Sequence, residues 1–307
     1  MRASLAALFA ALPLLACAHA PLSTPAAAAE VTASCVFSAR VSGAGRPVVF
    51  IPDLEAPGEI WDSTLAHLGG GVEAHVIEVA GFAGNPVCSG PLMPRLRDGL
   101  AIYLRQHARG AILVGHMFGA QVAYWLAMTE PDLVRGVIAI DAPPSRFDGT
   151  MDPEADEVRR AWGSASAEEF ARGIKQRIGS MMTDQSLANT ITTKAVHSSQ
   201  PVIAEAFYDM MTRDLRAQIP NIKAPVLVLL TTGNLPSEML PTIEAFYQEE
   251  LGPIARHRLV VVPGSKHYVM FDAPNVFFVE LDGFLATDAP GDGPLGNSQR
   301  ATEDSNL

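Results

Sequence analysis

Short apolar runs rich in Val, Ile and Leu recur along this chain and alternate with longer stretches of helical periodicity. The runs in "SCVFSARV" (34–41), "RPVVFIPDL" (46–54) and "EAHVIEVAGF" (73–82) predict three strands, the second a buried run that ends in loop chemistry at Pro52 and Asp53. Helical spacing follows from about Leu92 to Gln106, then a strand from Ala111, then a helix through Met128. "RGVIAIDAPP" is a further buried strand, after which the rhythm stops. Residues 145–222 have helical and loop character with no strand candidate. The alternation resumes with "APVLVLLTT", a helix over about 237–250, "HRLVVVPGSKH" and a last helix near 275–284. This order predicts an α/β architecture: a mostly parallel sheet with helices on both faces, interrupted by a helical cap. The Gly/Pro/polar tail from 287 to 307 is expected to be disordered. No internal repeat is visible.

The 307 residues are 48% hydrophobic and 18% charged, which suits one large domain, placed at 33–286. The net charge of -11, with no basic cluster, excludes nucleic acid as the expected partner. Residues 1–32 read as a signal segment and linker: Arg2 precedes an apolar run from Ala3 to Cys17 that is short for a membrane span. The chain is therefore expected to be exported. "LLAC" ending at Cys17 resembles a bacterial lipobox, which would place the protein in the periplasm or on the outer membrane through a lipid anchor. Cleavage at "ACA" or "AAA" is the alternative, giving a secreted product. Cys35 and Cys88 are then an even pair in an oxidising compartment, either disulfide-bonded or two buried thiols.

The strand at 111 runs through "AILVGHMFGAQ" directly into a helix. Gly115 and Gly119 bracket a sharp strand-to-helix turn of the G-x-S-x-G type, in which a bulky side chain at either glycine would meet the neighbouring strand or helix. The central position is Met117, whose thioether carries no proton to remove and cannot form and release an acyl intermediate. Its side chain is flexible, polarizable and apolar.

Together with "IPDLEAPGEIW", "VAGFAG", the strand leading from "DLRAQIPNIKAPVLVLL" and "PGSKHYVMFDAP", this order of parts resembles the α/β-hydrolase family over about residues 35–285. The resemblance implies an α/β-hydrolase fold with a helical cap, a nucleophile at 117, a histidine base, an acid after a late strand and an oxyanion hole of two backbone N–H groups. His267 matches the base. The acid position falls at Gly233 and Asn234, neither of which can be an anion, and Asp141, at the end of the preceding core strand, is the candidate substitute. Its alternative reading is an ordinary loop or helix-capping aspartate. Leu54 and Phe118 match the oxyanion-hole N–H positions. Asp53 stands where relatives carry glycine, and a carboxylate pointing inward there would oppose a developing negative charge. His116 is expected to point away from the pocket.

Trp162, Phe170, Met181, Met182, Phe207, Met210 and Met211 in the cap either roof an apolar cavity or form simple core packing. A small apolar ligand at the carboxyl ends of the strands is the expected occupant, with no cofactor and no metal. The functional expectation is an exported, catalytically inactive pseudo-hydrolase that binds a ligand or partner. The alternative is a hydrolase or related enzyme with a non-serine mechanism, His267 serving as base and Asp141 orienting it. A membrane-tied structural partner with a vestigial cavity is the third reading.

Overall fold

The computed structural model describes residues 29–145, 152–287 and 299–300. In chain order the strands are β1 (Ala29–Ser34), β2 (Phe37–Gly43), β3 (Arg46–Ile51), β4 (Val72–Val79), β5 (Ala111–His116), β6 (Val134–Ile140), β7 (Val226–Thr231), β8 (His257–Val262) and β9 (Gln299–Arg300). The helices are α1 (Asp62–Leu68), α2 (Leu92–His107), α3 (Phe118–Thr129), α4 (Asp152–Ser164), α5 (Ala167–Ser180), α6 (Gln185–Ala195), α7 (Gln200–Thr212), α8 (Leu240–Leu251), α9 (Val269–Asp272) and α10 (Pro274–Ala286).

One sheet runs β1-β2-β4-β3-β5-β6-β7-β8-β9. From β4 to β9 every pairing is parallel, and β1 and β2 form an antiparallel edge. Every residue of β5 and β7 is buried, so both faces of the central sheet are covered by helices or cap. Their sequences, AILVGH and VLVLLT, are continuous apolar runs rather than alternating ones for that reason. The α/β architecture expected from the hydrophobic pattern, a mostly parallel sheet interrupted by a helical cap, is the one observed.

Two local readings need correction. The segment assigned as linker up to residue 32 carries β1 from Ala29, paired antiparallel with β2. Its Ala-rich composition hides a strand that depends on its neighbour's ladder rather than on its own pattern. The tail lies mostly outside the described residues, yet Gln299–Arg300 pair in parallel with β8, so the expectation of disorder fails there. The signal segment and Cys17 lie outside the described residues.

Between β6 and β7 the chain passes through α4 to α7, which form the cap. Helix α5 starts at a capping box: Ser166 accepts from the Glu169 amide while the Glu169 side chain accepts from the Ser166 amide. Asp184 caps α6 in the same sense, accepting from Ser186 and Leu187. The cap interior is mainly core packing, with Phe170, Met182, Met210 and Met211 buried and Trp162 against Phe207 at 4.8 Å between ring centroids. At the antiparallel edge, Cys35 and Cys88 are joined as a disulfide with Cα atoms 5.5 Å apart.

Candidate functional site

The carboxyl ends of β3, β5, β6 and β8 deliver the residues of interest to one place. After β5 the backbone turns at Met117, which takes φ 40°, ψ -96° and caps α3. The glycines make this turn sterically feasible. A Cβ on Gly119 would stand 2.2 Å from the Ile51 carbonyl oxygen, and one on Gly115 would stand 2.4 Å from the Ala120 nitrogen. Among the described residues only four non-glycines have positive φ: Glu55, Ala83, Met117 and Asp141. Three of them follow the adjacent strands β3, β5 and β6, so the backbone strain is gathered at the site.

His267 lies in the loop after β8, buried, with both ring nitrogens engaged. Nδ1–H donates to Asp141 Oδ2 at 2.6 Å, and Nε2–H donates to Asp53 Oδ2 at 3.1 Å. Asp141 is set by its own strand end: its amide donates to the Leu229 carbonyl at 2.8 Å, and its Oδ1 accepts from the Thr231 amide at 3.1 Å. The alternative reading of Asp141 as a plain loop or capping aspartate is therefore replaced by direct partnership with His267. The family acid position after β7 remains without a carboxylate. Gly233 could not carry one, because a Cβ there would meet the Gly264 carbonyl oxygen at 2.4 Å. Asn234 borders the cleft instead.

Asp53 points inward. Its Oδ1 accepts from the Phe118 amide at 3.0 Å while Oδ2 takes His267. The expectation that the Phe118 N–H stands available for an oxyanion fails, since the chain's own carboxylate holds it. Leu54, the other hole position, is buried beside it. His116 is fully buried behind His267, their ring centroids 4.3 Å apart, and its Nε2–H donates to the His267 carbonyl at 3.0 Å.

The charges follow from this geometry. Burial alone would lower the His267 imidazolium, but hydrogen bonds to Asp141 and Asp53, with their charges, outweigh it and push it up to about 9. Burial likewise opposes ionisation of both aspartates, and the histidine reverses it, holding Asp53 and Asp141 below the ordinary carboxylate range. Burial, and secondarily the His267 charge, pushes His116 down to about 3. Near neutrality the centre is carboxylate, imidazolium, carboxylate, with His116 neutral.

An open cleft of about 380 Å³ meets this centre. Met117, Asp141 and His267 form its polar and polarizable end, and Met181, Ile243 and Phe246 are among its apolar walls. From the cap, Arg177 of α5 reaches down to Glu55, which is only 1% exposed, in an ion pair beside Asp53. Sequence reasoning missed Glu55 and Arg177. A charged residue in a run of buried positions after β3 was the available signal for Glu55, and nothing local marked its partner.

Residues 41–281 match the Alpha/beta hydrolase family. The chain belongs to this family. Among curated relatives it is 29% identical over 200 residues to a 2-(acetamidomethylene)succinate hydrolase of Mesorhizobium japonicum, covering 61% of this chain and 69% of that one. It is 25% identical over 250 residues to the biotin biosynthesis bifunctional protein BioHC of Cellvibrio japonicus, covering 79% of this chain and 48% of that protein, so it spans about half that relative's length. Among solved structures, a hydrolase from Pseudomonas aeruginosa PA01 superposes with a TM-score of 0.69 at 20% identity, covering 81% of this chain and 94% of the other. That likeness establishes the shared fold.

Proposed function

We propose that this α/β-hydrolase-fold protein does not hydrolyse esters through the elbow, and that it uses the frame to bind a small, largely apolar molecule in the cleft beside Met117. One observation carries the reading: the Asp53 carboxylate accepts from both the Phe118 amide and His267 Nε2. Acyl transfer needs that amide for a developing oxyanion and that nitrogen for the proton of the attacker. Both are committed to an internal anion, and Met117 supplies no proton. The ligand is expected to be neutral or cationic at the end that meets Asp141, because the centre carries two carboxylates against one imidazolium.

The purified full chain should not be labelled by a fluorophosphonate probe and should turn over short aryl esters no faster than buffer. Met117→Ser alone should stay unreactive while Asp53 holds His267, whereas Met117→Ser with Asp53→Gly should gain labelling. Wild-type turnover that disappears in His267→Ala would sink the reading. Export belongs to the same proposal, with lipid attachment at Cys17 as one route. Mass spectrometry of the N-terminal peptide from the membrane fraction distinguishes an acylated Cys17 from ordinary cleavage.

A second reading rests on the His267–Asp141 contact at 2.6 Å, with both residues bordering the cleft. A histidine so oriented can pass a proton to or from a bound molecule without any serine. It predicts turnover of a non-ester substrate that survives Met117→Ala and is lost in Asp141→Asn.

A further inference from the structure

We propose that Asp53, His116 and His267 form a buried binding site for one zinc ion, a role that departs from the absence of metal expected from the sequence. All three side chains are buried, and one ligating atom from each lies within 4.8 Å of the other two. Proximity alone would carry little, since charged networks often bring such groups together. The hydrogen bonds behind them are more informative. In metal sites the ligating imidazole typically donates its other N–H to a carboxylate or a backbone carbonyl, and the ligating carboxylate is itself hydrogen-bonded. Each of the three residues has that outer partner. His267 Nδ1 is held by Asp141 at 2.6 Å, His116 Nε2 by the His267 carbonyl at 3.0 Å, and Asp53 Oδ1 by the Phe118 amide at 3.0 Å.

The outer bonds leave His267 Nε2, His116 Nδ1 and Asp53 Oδ2 as the ligating atoms, and zinc would replace the proton that His267 Nε2 now shares with Asp53 Oδ2, releasing it to solvent. His116 Nδ1 is the independent sign of a missing ligand. It is fully buried and has no hydrogen-bond partner among the described residues, whereas interior polar atoms are almost always paired. With Nε2–H donating to a carbonyl, Nδ1 carries a lone pair that no proton donor among the described residues reaches.

The donor set selects the ion. Two imidazoles and one carboxylate suit zinc with a fourth position for water, and they disfavour calcium and magnesium, which take all-oxygen shells. Bonds of about 2.0–2.1 Å place tetrahedral ligand atoms about 3.3 Å apart. His267 Nε2 and Asp53 Oδ2 already stand at 3.1 Å. One ligand atom from each of the three residues lies within 4.8 Å of the others, so binding would draw the side chains inward to tetrahedral spacing. Of the three residues, His267 borders the cleft. This proposal is independent of ester turnover, because its readout is the metal.

The test is zinc titration of the chelator-treated, dialysed full chain by calorimetry, paired with cobalt(II) absorption spectroscopy. The expected result is one saturable ion per chain and a cobalt spectrum of tetrahedral type. His116→Ala and Asp53→Asn should each weaken binding at least about 100-fold, and Asp141→Asn, which removes only an outer partner, about 10- to 100-fold. His67→Ala, on the surface, should leave the affinity unchanged. Should the His116 variant fail to fold, Asp53→Asn and the wild-type cobalt spectrum decide the question. No saturable zinc binding by the folded wild type, an octahedral cobalt spectrum, or unchanged affinity in either ligand variant overturns the proposal.

Discussion

Replacing Arg177 with Met should destabilise the protein by about 3–5 kcal/mol, and replacing Glu55 at the same time should restore most of that loss. Glu55 is 1% exposed, has positive φ and faces Arg177 of α5 as its ion-pair partner. Its other oxygen, Oε2, has no hydrogen bond among the described residues. Methionine keeps most of the arginine stem, so packing loss is small, and the dominant effect is an uncompensated buried carboxylate. The guanidinium also sits 5.0 Å from the Trp162 ring centroid, a cation–π contact whose loss adds about 0.5–2 kcal/mol. In Glu55→Gln/Arg177→Met no charge is left stranded, and a buried pair contributes little net stability relative to well-packed neutral groups. The coupling energy from a double-mutant cycle should then be about 2–4 kcal/mol, read from urea unfolding midpoints with m-values checked for two-state behaviour. Because the pair pins the cap to the loop carrying Asp53, limited proteolysis between α4 and α7 should accelerate in the Arg177 single variant alone. An Arg177→Met cost below about 1 kcal/mol, or a double variant no better than the single, refutes the reasoning.

Stability of the chelator-treated protein should peak near pH 6.5. His267, raised to about 9, contributes stability that is full below 6.5 and falls by about 3 kcal/mol as pH rises to 9, whereas His116, lowered to about 3, contributes stability lost as pH falls from 6.5. A profile flat from 6.5 to 9, or one unchanged in His267→Gln, contradicts this. Gly119→Ala should cost several kcal/mol or prevent folding, because its Cβ would collide with the Ile51 carbonyl, while Gly173→Ala, with open space around it in α5, should gain about 0.5–1 kcal/mol. Thermal melts of the two variants give the comparison. Cys35→Ser/Cys88→Ser should lower stability by up to about 4 kcal/mol, because the bond closes a long loop between residues 53 apart. Equal midpoints in denaturant would show that the unfolded chain gains nothing from the break.

The central strands were legible because burial on both faces leaves continuous apolar runs, and β3, β5, β6, β7 and β8 all fall where those runs stand. The turn at Met117 was legible from glycine spacing, since the sterics that demand Gly115 and Gly119 are local to one strand and one helix. His267 was legible from its loop. What joins it to the other charges was not. Asp141 and His267 are 126 residues apart, and their contact depends on a backbone at φ 55° that turns the carboxylate from the end of β6 toward the loop after β8. The direction of Asp53 was equally hidden, because a loop residue can face the solvent or the helix N-terminus with no change in pattern. Arg177 sits in an amphipathic helix whose polar face gives no sign that one of its cations is buried in an ion pair.

The retained strain at Met117 bears on whether the site is used or left over, and one pair of variants measures it. A non-glycine residue in such a conformation costs about 1–3 kcal/mol. Glycine would relieve it, and without a serine no acyl chemistry requires a side chain at this position. Met117→Ala and Met117→Gly remove the same thioether and differ in the Cβ alone. In an ordinary helix or strand the alanine variant would be the more stable by about 0.5–1 kcal/mol. Here the order should reverse, with Met117→Gly exceeding Met117→Ala by about 1–2 kcal/mol in urea unfolding, because the positive φ penalises the Cβ. The methionine is then kept against a backbone cost, which is the expected behaviour of a side chain that meets a ligand from the floor of the cleft. Alanine more stable than glycine would mean that the turn carries no strain, and the inference from strain to use would fall with it.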